Sequence, residues 1–167
     1  YAQVKHRLAR VAIIDWDVHH GNGTQAAFYH DPSVLFFSIH QWPVYPGSGA
    51  ASETGEGRGE GYTINAPLPA GSGDAEFLRA LEERFLPRAR EFKPDLILIS
   101  AGFDGHVADP LANLALTESD YVWITQTLLD LARRHAGGRV VSTLEGGYEL
   151  GALGRSAARH VRALYDA

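Results

Sequence analysis

At 167 residues and 45% hydrophobic content, the chain is sized for one domain or part of one and can bury a core. Its net charge of −5 gives no bulk attraction to nucleic acid or to an anionic membrane surface. It has no cysteine, which excludes disulfides and thiolate metal sites, so any metal would take nitrogen and oxygen ligands.

Residues 11–17 open with the apolar run Val11-Ala12-Ile13-Ile14 and read as a buried strand. Alternate side chains of a strand point the same way, so Asp15, Asp17 and His19 share one face while Trp16 and Val18 take the other. Three ligand-type groups at the end of a buried strand are costly unless something positive sits among them. Asn22-Gly23 reads as a tight turn, residues 24–30 as a short helix and residues 34–40 as a second buried strand. The glycine-rich stretch 47–61 reads as a functional surface loop, and without a GK[ST] sequence it is no phosphate cradle. Residues 62–68 form a weaker strand ending at Pro67 and Pro69.

In residues 74–92 the stripe Phe77, Leu78, Leu81, Phe85 predicts a helix, with a kink or break at Pro87. Residues 95–101 are a third buried strand. Residues 117–135 predict a helix opened by the capping-box pattern Thr117-Glu118-Ser119-Asp120, which buries Tyr121, Ile124, Leu128 and Leu131. Residues 139–144 read as a further buried strand and 149–165 as a closing helix. Strands alternating with helices predict an α/β fold, a parallel sheet flanked by helices on both faces.

The polar clusters each follow a strand: Asp15-x-Asp17-x-His19-His20, then Ser100-Ala101-Gly102-Phe103-Asp104-Gly105-His106, then Leu144-Glu145-Gly146-Gly147-Tyr148. Ligands of open parallel sheets bind outside the carboxyl ends of the strands, so the three motifs meet at one rim. Asp17, His19 and Asp104 together give one imidazole and two carboxylates with a position left open, the arrangement of catalytic zinc. Such a zinc acts as a Lewis acid and lowers the pKa of bound water, while Fe(II), Co(II) or Mn(II) also suits these ligands. His20 is expected to be packed and hydrogen-bonded. His106 and Asp109-Pro110 are expected to shape and cap the loop beyond Asp104.

Asp15–Thr24 in sequence, residues 100–110 and residues 145–148 resemble the signature blocks of the zinc-dependent histone deacetylase family. Asn22-Gly23-Thr24-Gln25 and the run Thr54-Gly55-x-Gly57-x-Gly59-x-Gly61-x-Thr63-x-Asn65-x-Pro67-Leu68 resemble its class II and bacterial deacetylase-like amidohydrolase branch. The resemblance covers nearly the whole chain. It implies the arginase–deacetylase fold and hydrolysis of an N-acetyl amide in acetyl-lysine proteins or acetylated small amines, with no nucleic-acid or membrane partner. It also implies that Asp17, His19 and Asp104 hold Zn2+, or Fe2+ in its place. Tyr148 would bond the substrate carbonyl and its oxyanion, Asp15 would orient a catalytic histidine, and Gly146 and Gly147 would let Tyr148 reach the metal. Tyr45 would be a wall of the substrate tunnel. Structural K+ is implied at Asp15, Asp17, His19, Ser38 and Ile39, and a second monovalent ion at Phe28, Asp31, Val34 and Tyr62.

The family's tandem His-His pair has no match here: His6, His40 and His106 stand elsewhere, and the tunnel's glycine-phenylalanine wall is missing too. With no methionine even at position 1, residues 1–167 read as the C-terminal portion of a single deacetylase domain, with negligible activity alone. No signal-peptide pattern is present, which makes the cytoplasm the default compartment. Two rival readings are an arginase-like dinuclear manganese hydrolase and a non-catalytic domain that binds acetylated ligands or partners.

Overall fold

Five apolar runs, β1 (Val11–Asp15), β2 (Val34–Gln41), β3 (Thr63–Leu68), β4 (Leu96–Ala101) and β5 (Val140–Leu144), pair side by side in a computed structural model that describes residues 1–167. All pairings are parallel and the spatial order is β3-β2-β1-β4-β5. The central strand β1 sets Asp15 beside Ser38 of β2 and Ser100 of β4. Parallel strands need connections over the sheet faces, and besides α1 (Ala2–His6), which precedes β1, four helices lie in them: α2 (Asn22–Phe28) between β1 and β2, α3 (Asp74–Ala80) and α4 (Leu86–Phe92) between β3 and β4, and α5 (Glu118–His135) between β4 and β5; α6 (Leu150–Tyr165) follows β5.

The period-two alternation divides the core. Ala12, Ile14, Leu35, Phe37, Ile97 and Ile99 face Phe77, Leu81, Phe85, Ile124 and Leu128 in the main cluster. Phe37 and Phe85 stack there with ring centroids 5.0 Å apart. The intervening residues Val11, Ile13, Val34, Phe36 and Leu96 form a smaller cluster with Ala2, Leu8 and Phe28 on the opposite face. Helices therefore lie on both faces, as the alternation predicts, but unequally.

That inequality corrects the fourth apolar run. Residues 139–144 read as a buried strand, yet Val141 and Leu144 of β5 are 57% and 59% exposed. Hydrophobic runs report the need for cover, and within this chain no element covers the outer face of β5. The first strand ends at Asp15 rather than Asp17, although the alternation persists past its end: Trp16 and Val18 are buried, Asp17 and His19 are not fully so. Asn22-Gly23 opens α2 instead of forming a turn. The 74–92 segment is interrupted ahead of Pro87, by a π-helical stretch Leu81–Phe85. Proline lacks the amide that would bond residue 83 and its ring crowds that carbonyl, so the turn before it widens. The short α1 buries no residue and so carries no apolar periodicity in the sequence. At α5, Asp120 accepts from the Thr117 backbone amide (2.7 Å) and hydroxyl (2.9 Å), as the capping pattern implies.

β5 is pinned to the helices by buried His160 of α6. Its Nδ1 lies 2.7 Å from Thr125 Oγ1, which itself donates to the Tyr121 carbonyl, and its Nε2 lies 2.9 Å from Ser142 Oγ. Nδ1 therefore carries the hydrogen, and Nε2 accepts from Ser142. Burial lowers the pKa of His160 to about 4. The unfolded chain takes up a proton below its ordinary pKa of about 6.5, whereas the folded ring stays neutral, so stability rises with pH across that window. We expect the unfolding free energy, measured in urea, to drop by about 3 kcal/mol between pH 6.5 and 4 from this group. His160→Gln should flatten that part of the pH profile. Phe85→Ala should cost about 3–5 kcal/mol by the same assay, since it empties the stack on Phe37.

Candidate metal centre

Asp17 and His19 follow the carboxyl end of β1, and Asp104 follows that of β4, so neighbouring strands deliver all three to one rim. Their ligand atoms lie within 4.8 Å of one another. His19 Nδ1 is 3.1 Å from Asp17 Oδ1 and 3.2 Å from Asp104 Oδ2. Ligands held about 2.0–2.2 Å from a tetrahedral ion stand roughly 3.3–3.6 Å from each other, so these separations fit a common ion with little movement.

The other lone pairs are taken by backbone amides. Asp104 Oδ1 accepts from Val18 (2.9 Å), Asp17 Oδ1 from His19 (2.9 Å), and Asp17 Oδ2 from Gly146 (2.8 Å). Asp104 Oδ2 is buried and has no hydrogen-bond donor. Such an atom is costly unless something positive meets it. The crowding is backed by glycine: a Cβ on Gly102 would stand 2.4 Å from Asp17 Oδ2, and one on Gly146 would stand 2.1 Å from Asp104 Oδ2.

No lysine or arginine bridges the two carboxylates; the side chain that stands between them is the His19 imidazole. Burial, and after it the charge of Asp17, push the Asp104 carboxyl up to about 7. Burial and then Asp17 likewise push Asp15 well above the usual carboxylate range. A bound divalent cation reverses that balance and favours the ionised forms. The donor set of two carboxylates and an imidazole thus fits a metal ion.

Asp15 sits behind the trio, its Oδ1 accepting from the Asp17 amide (3.0 Å). It lines a polar cleft of about 260 Å³ together with Asp17, His19, Ser100 and Glu145. Tyr45 is exposed, and its ring stands edge-on to that of His19 at 6.3 Å, on the solvent side of the trio. Tyr148 is half exposed, and its phenol feels partial burial first and then the charges of Asp104, Asp17 and Asp109, which together raise its pKa. The phenol stays protonated at neutral pH and is a hydrogen-bond donor. Gly146 lies inside the carboxylate cluster, and Gly147 takes φ +143° just before Tyr148.

Of the residues implied for potassium, Asp15 and Ser38 are register partners, and the Ser38 hydroxyl pairs with His40 Nδ1 at 3.0 Å. The second set lies at the opposite, amino end of the sheet. There the Phe28, Asp31 and Tyr62 carbonyls accept from Asp31, Val34 and Phe36 amides, and the Asp31 carboxylate binds Ser33. His20 is packed as expected, with Nδ1 2.8 Å from Ser48 and Nε2 3.0 Å from Gln25. His106 turns away from the trio, accepting from Ala108 and facing Glu118. Within residues 1–167 the cluster comprises Asp17, His19 and Asp104, with no fourth acidic or imidazole group of this chain joining it.

Two features escaped sequence reading. The Glu53 carboxylate gathers the Gly49 and Ala50 amides and the Gln25 side chain, which ties the 47–61 loop to the motif carrying His20. Asp109 caps its own loop through Leu111, but also accepts from the amides of Tyr148 (2.7 Å) and Glu149 (3.3 Å). A DP dipeptide signals the first role and carries no trace of the second.

The histone deacetylase domain model matches residues 1–164. Histone deacetylase 14, chloroplastic, of Arabidopsis thaliana is 52% identical over 98% of this chain and 39% of its own length. A histone deacetylase-like amidohydrolase of Pseudomonas aeruginosa is 44% identical over 88% of this chain and 39% of its own length. The solved structure of the histone deacetylase Clr3 superposes with a TM-score of 0.91 at 40% identity, over 98% of this chain and 28% of that one. The chain therefore spans about two fifths of the length of these two curated relatives. The same parallel five-stranded core, the three rim motifs and these matches agree: the chain belongs to the histone deacetylase family.

Proposed function

We propose that this chain supplies the metal-holding and oxyanion-facing part of an amidohydrolase that removes acetyl groups from acetyl-lysine side chains or acetylated small amines. Residues 1–167 are then the carboxyl-terminal portion of one deacetylase domain. The observation that carries the reading is the convergence of Asp17, His19 and Asp104 around a buried carboxylate oxygen that has no donor.

Zn2+ is the proposed ion, with Fe2+ also suited to this donor set; when bound it supplies Lewis acidity toward the acetamide carbonyl and acidifies water. The remaining work falls to side chains. The protonated Tyr148 hydroxyl donates to the carbonyl oxygen and to the negative charge that grows there as the tetrahedral centre forms. Tyr45, edge-on to His19, walls the channel through which the acyl-amine enters. Asp15 is proposed to hold the ring of the histidine that takes the proton from the attacking water. The polar cleft beside Asp15 has room for such a ring, and its own histidines, His19 and His20, are already engaged. A potassium ion at Asp15, Asp17, His19, Ser38 and Ile39, and a second at Phe28, Asp31, Val34 and Tyr62, are proposed on the resemblance alone. The cytoplasm remains the proposed compartment; no helix is long and apolar enough to cross a membrane.

The full-length enzyme should release acetate from an acetyl-lysine peptide, lose that activity to a chelator and regain it with Zn2+. Residues 1–167 alone should bind one divalent ion per chain, read by metal analysis after dialysis, with negligible turnover. Asp104→Asn should abolish that binding. Metal loading of Asp104→Asn equal to the parent would overturn the assignment. Tyr148→Phe in the full-length enzyme should lower kcat by about 100- to 1,000-fold with metal content unchanged.

A further inference from the structure

We propose that Asp109 is a positioning residue for Tyr148, its carboxylate setting where the phenol stands over the Asp17–His19–Asp104 trio. The inference rests on the reading of Tyr148 as donor to the substrate's oxyanion.

Asp109 is 7% exposed, and its two oxygens do different jobs. Oδ1 accepts from the Leu111 amide at 3.0 Å and closes a turn within its own loop. That bond alone would account for a capping aspartate. Oδ2 instead reaches the loop after β5, where it accepts from the Tyr148 amide at 2.7 Å and the Glu149 amide at 3.3 Å. Bonds to an ionised acceptor are roughly twice as strong as neutral ones.

The segment that carries Tyr148 is fixed through its main chain. At its start the Gly146 amide donates to Asp17 Oδ2 (2.8 Å), while the Gly146 carbonyl accepts from the Phe103 amide (2.7 Å). Beyond Tyr148, the Glu149 side chain caps α6 through the Gly151 and Ala152 amides. Between these anchors the half-exposed phenol depends on the two peptides, those of the Tyr148 and Glu149 amides, that Asp109 grips. Asp17 thus holds one side of the tyrosine and Asp109 the other, so the trio and its neighbouring donor share a rigid frame. A displacement near 1 Å of a group that must meet a developing charge costs about 100-fold in rate.

An Asn at 109 keeps one acceptor oxygen and no charge, so the Tyr148 anchor is lost or falls to a weaker neutral bond. A Ser at 109 can still cap Leu111 but is too short to reach Tyr148. In the full-length enzyme, Asp109→Asn and Asp109→Ser should each lower kcat about tenfold or more. KM and metal content should stay at parental values. In a Tyr148→Phe background the same substitutions should change kcat by less than about twofold, because the group they place is gone. The Tyr148 and Glu149 amides should exchange slowly with deuterium in the parent and fast in both variants.

Tyr148→Phe impaired while both Asp109 variants keep parental kcat would overturn this inference and leave the role of Tyr148 standing. An equal penalty in the Phe background would make Asp109 merely structural and overturn it too. An unimpaired Tyr148→Phe would remove the underlying reading itself. Should neither Asp109 variant fold, fast exchange of the Tyr148 amide in the parent protein would overturn the inference on its own.

Discussion

Two carboxylates, Asp17 and Asp104, stand against one imidazole at the rim of a parallel sheet with no lysine or arginine to balance them. That standing repulsion is the constraint around which the chain is built. Backbone amides answer part of the negative charge: those of Val18, His19 and Gly146 each donate to one of the two acids. The glycines at 102 and 146 exist at those places because any side chain would collide with the acids. Remove the demand to crowd anionic oxygens together, and neither the amide cradle nor the glycines would be needed.

The arrangement separates a rigid interior from an open front. Behind and beneath the trio, Trp16, Val18 and Phe103 are buried in the main core and lock the backbone that carries the ligands. In front, Tyr45 and Tyr148 are exposed aromatics hung from loops, one edge-on to His19 and one after two glycines. The rim is thus a base of donors set into the core with an open mouth edged by two exposed aromatics.

Much of this was legible in the residues. The strands showed themselves by branched and aromatic runs, and the trio by ligand-type residues that follow the first and the fourth of them. The limits are equally physical. Val141 and Leu144 look like any buried strand residues, because an apolar pattern records that cover is needed and not which segment gives it. The π-helical stretch lies ahead of Pro87 because the clash acts on a carbonyl four residues back. Asp109 could be read as a turn-former but not as an anchor, since its partner lies 39 residues away and leaves no local mark. The contacts joining Glu53 to Gln25 were hidden for the same reason.

The Gly146 amide and the Asp17 carboxylate are 129 residues apart, and Val18 meets Asp104 across 86. Contacts of such long range form late in folding, after the entropy of closing large loops has been spent. The centre is therefore a gauge of completion: only a chain whose first and fourth strands have paired presents the three donors together, and only one whose fifth has docked cradles Asp17 with the Gly146 amide. Loading with the ion would then act as a latch on the finished architecture, and remote lesions would first be felt as a loosened grip on the metal.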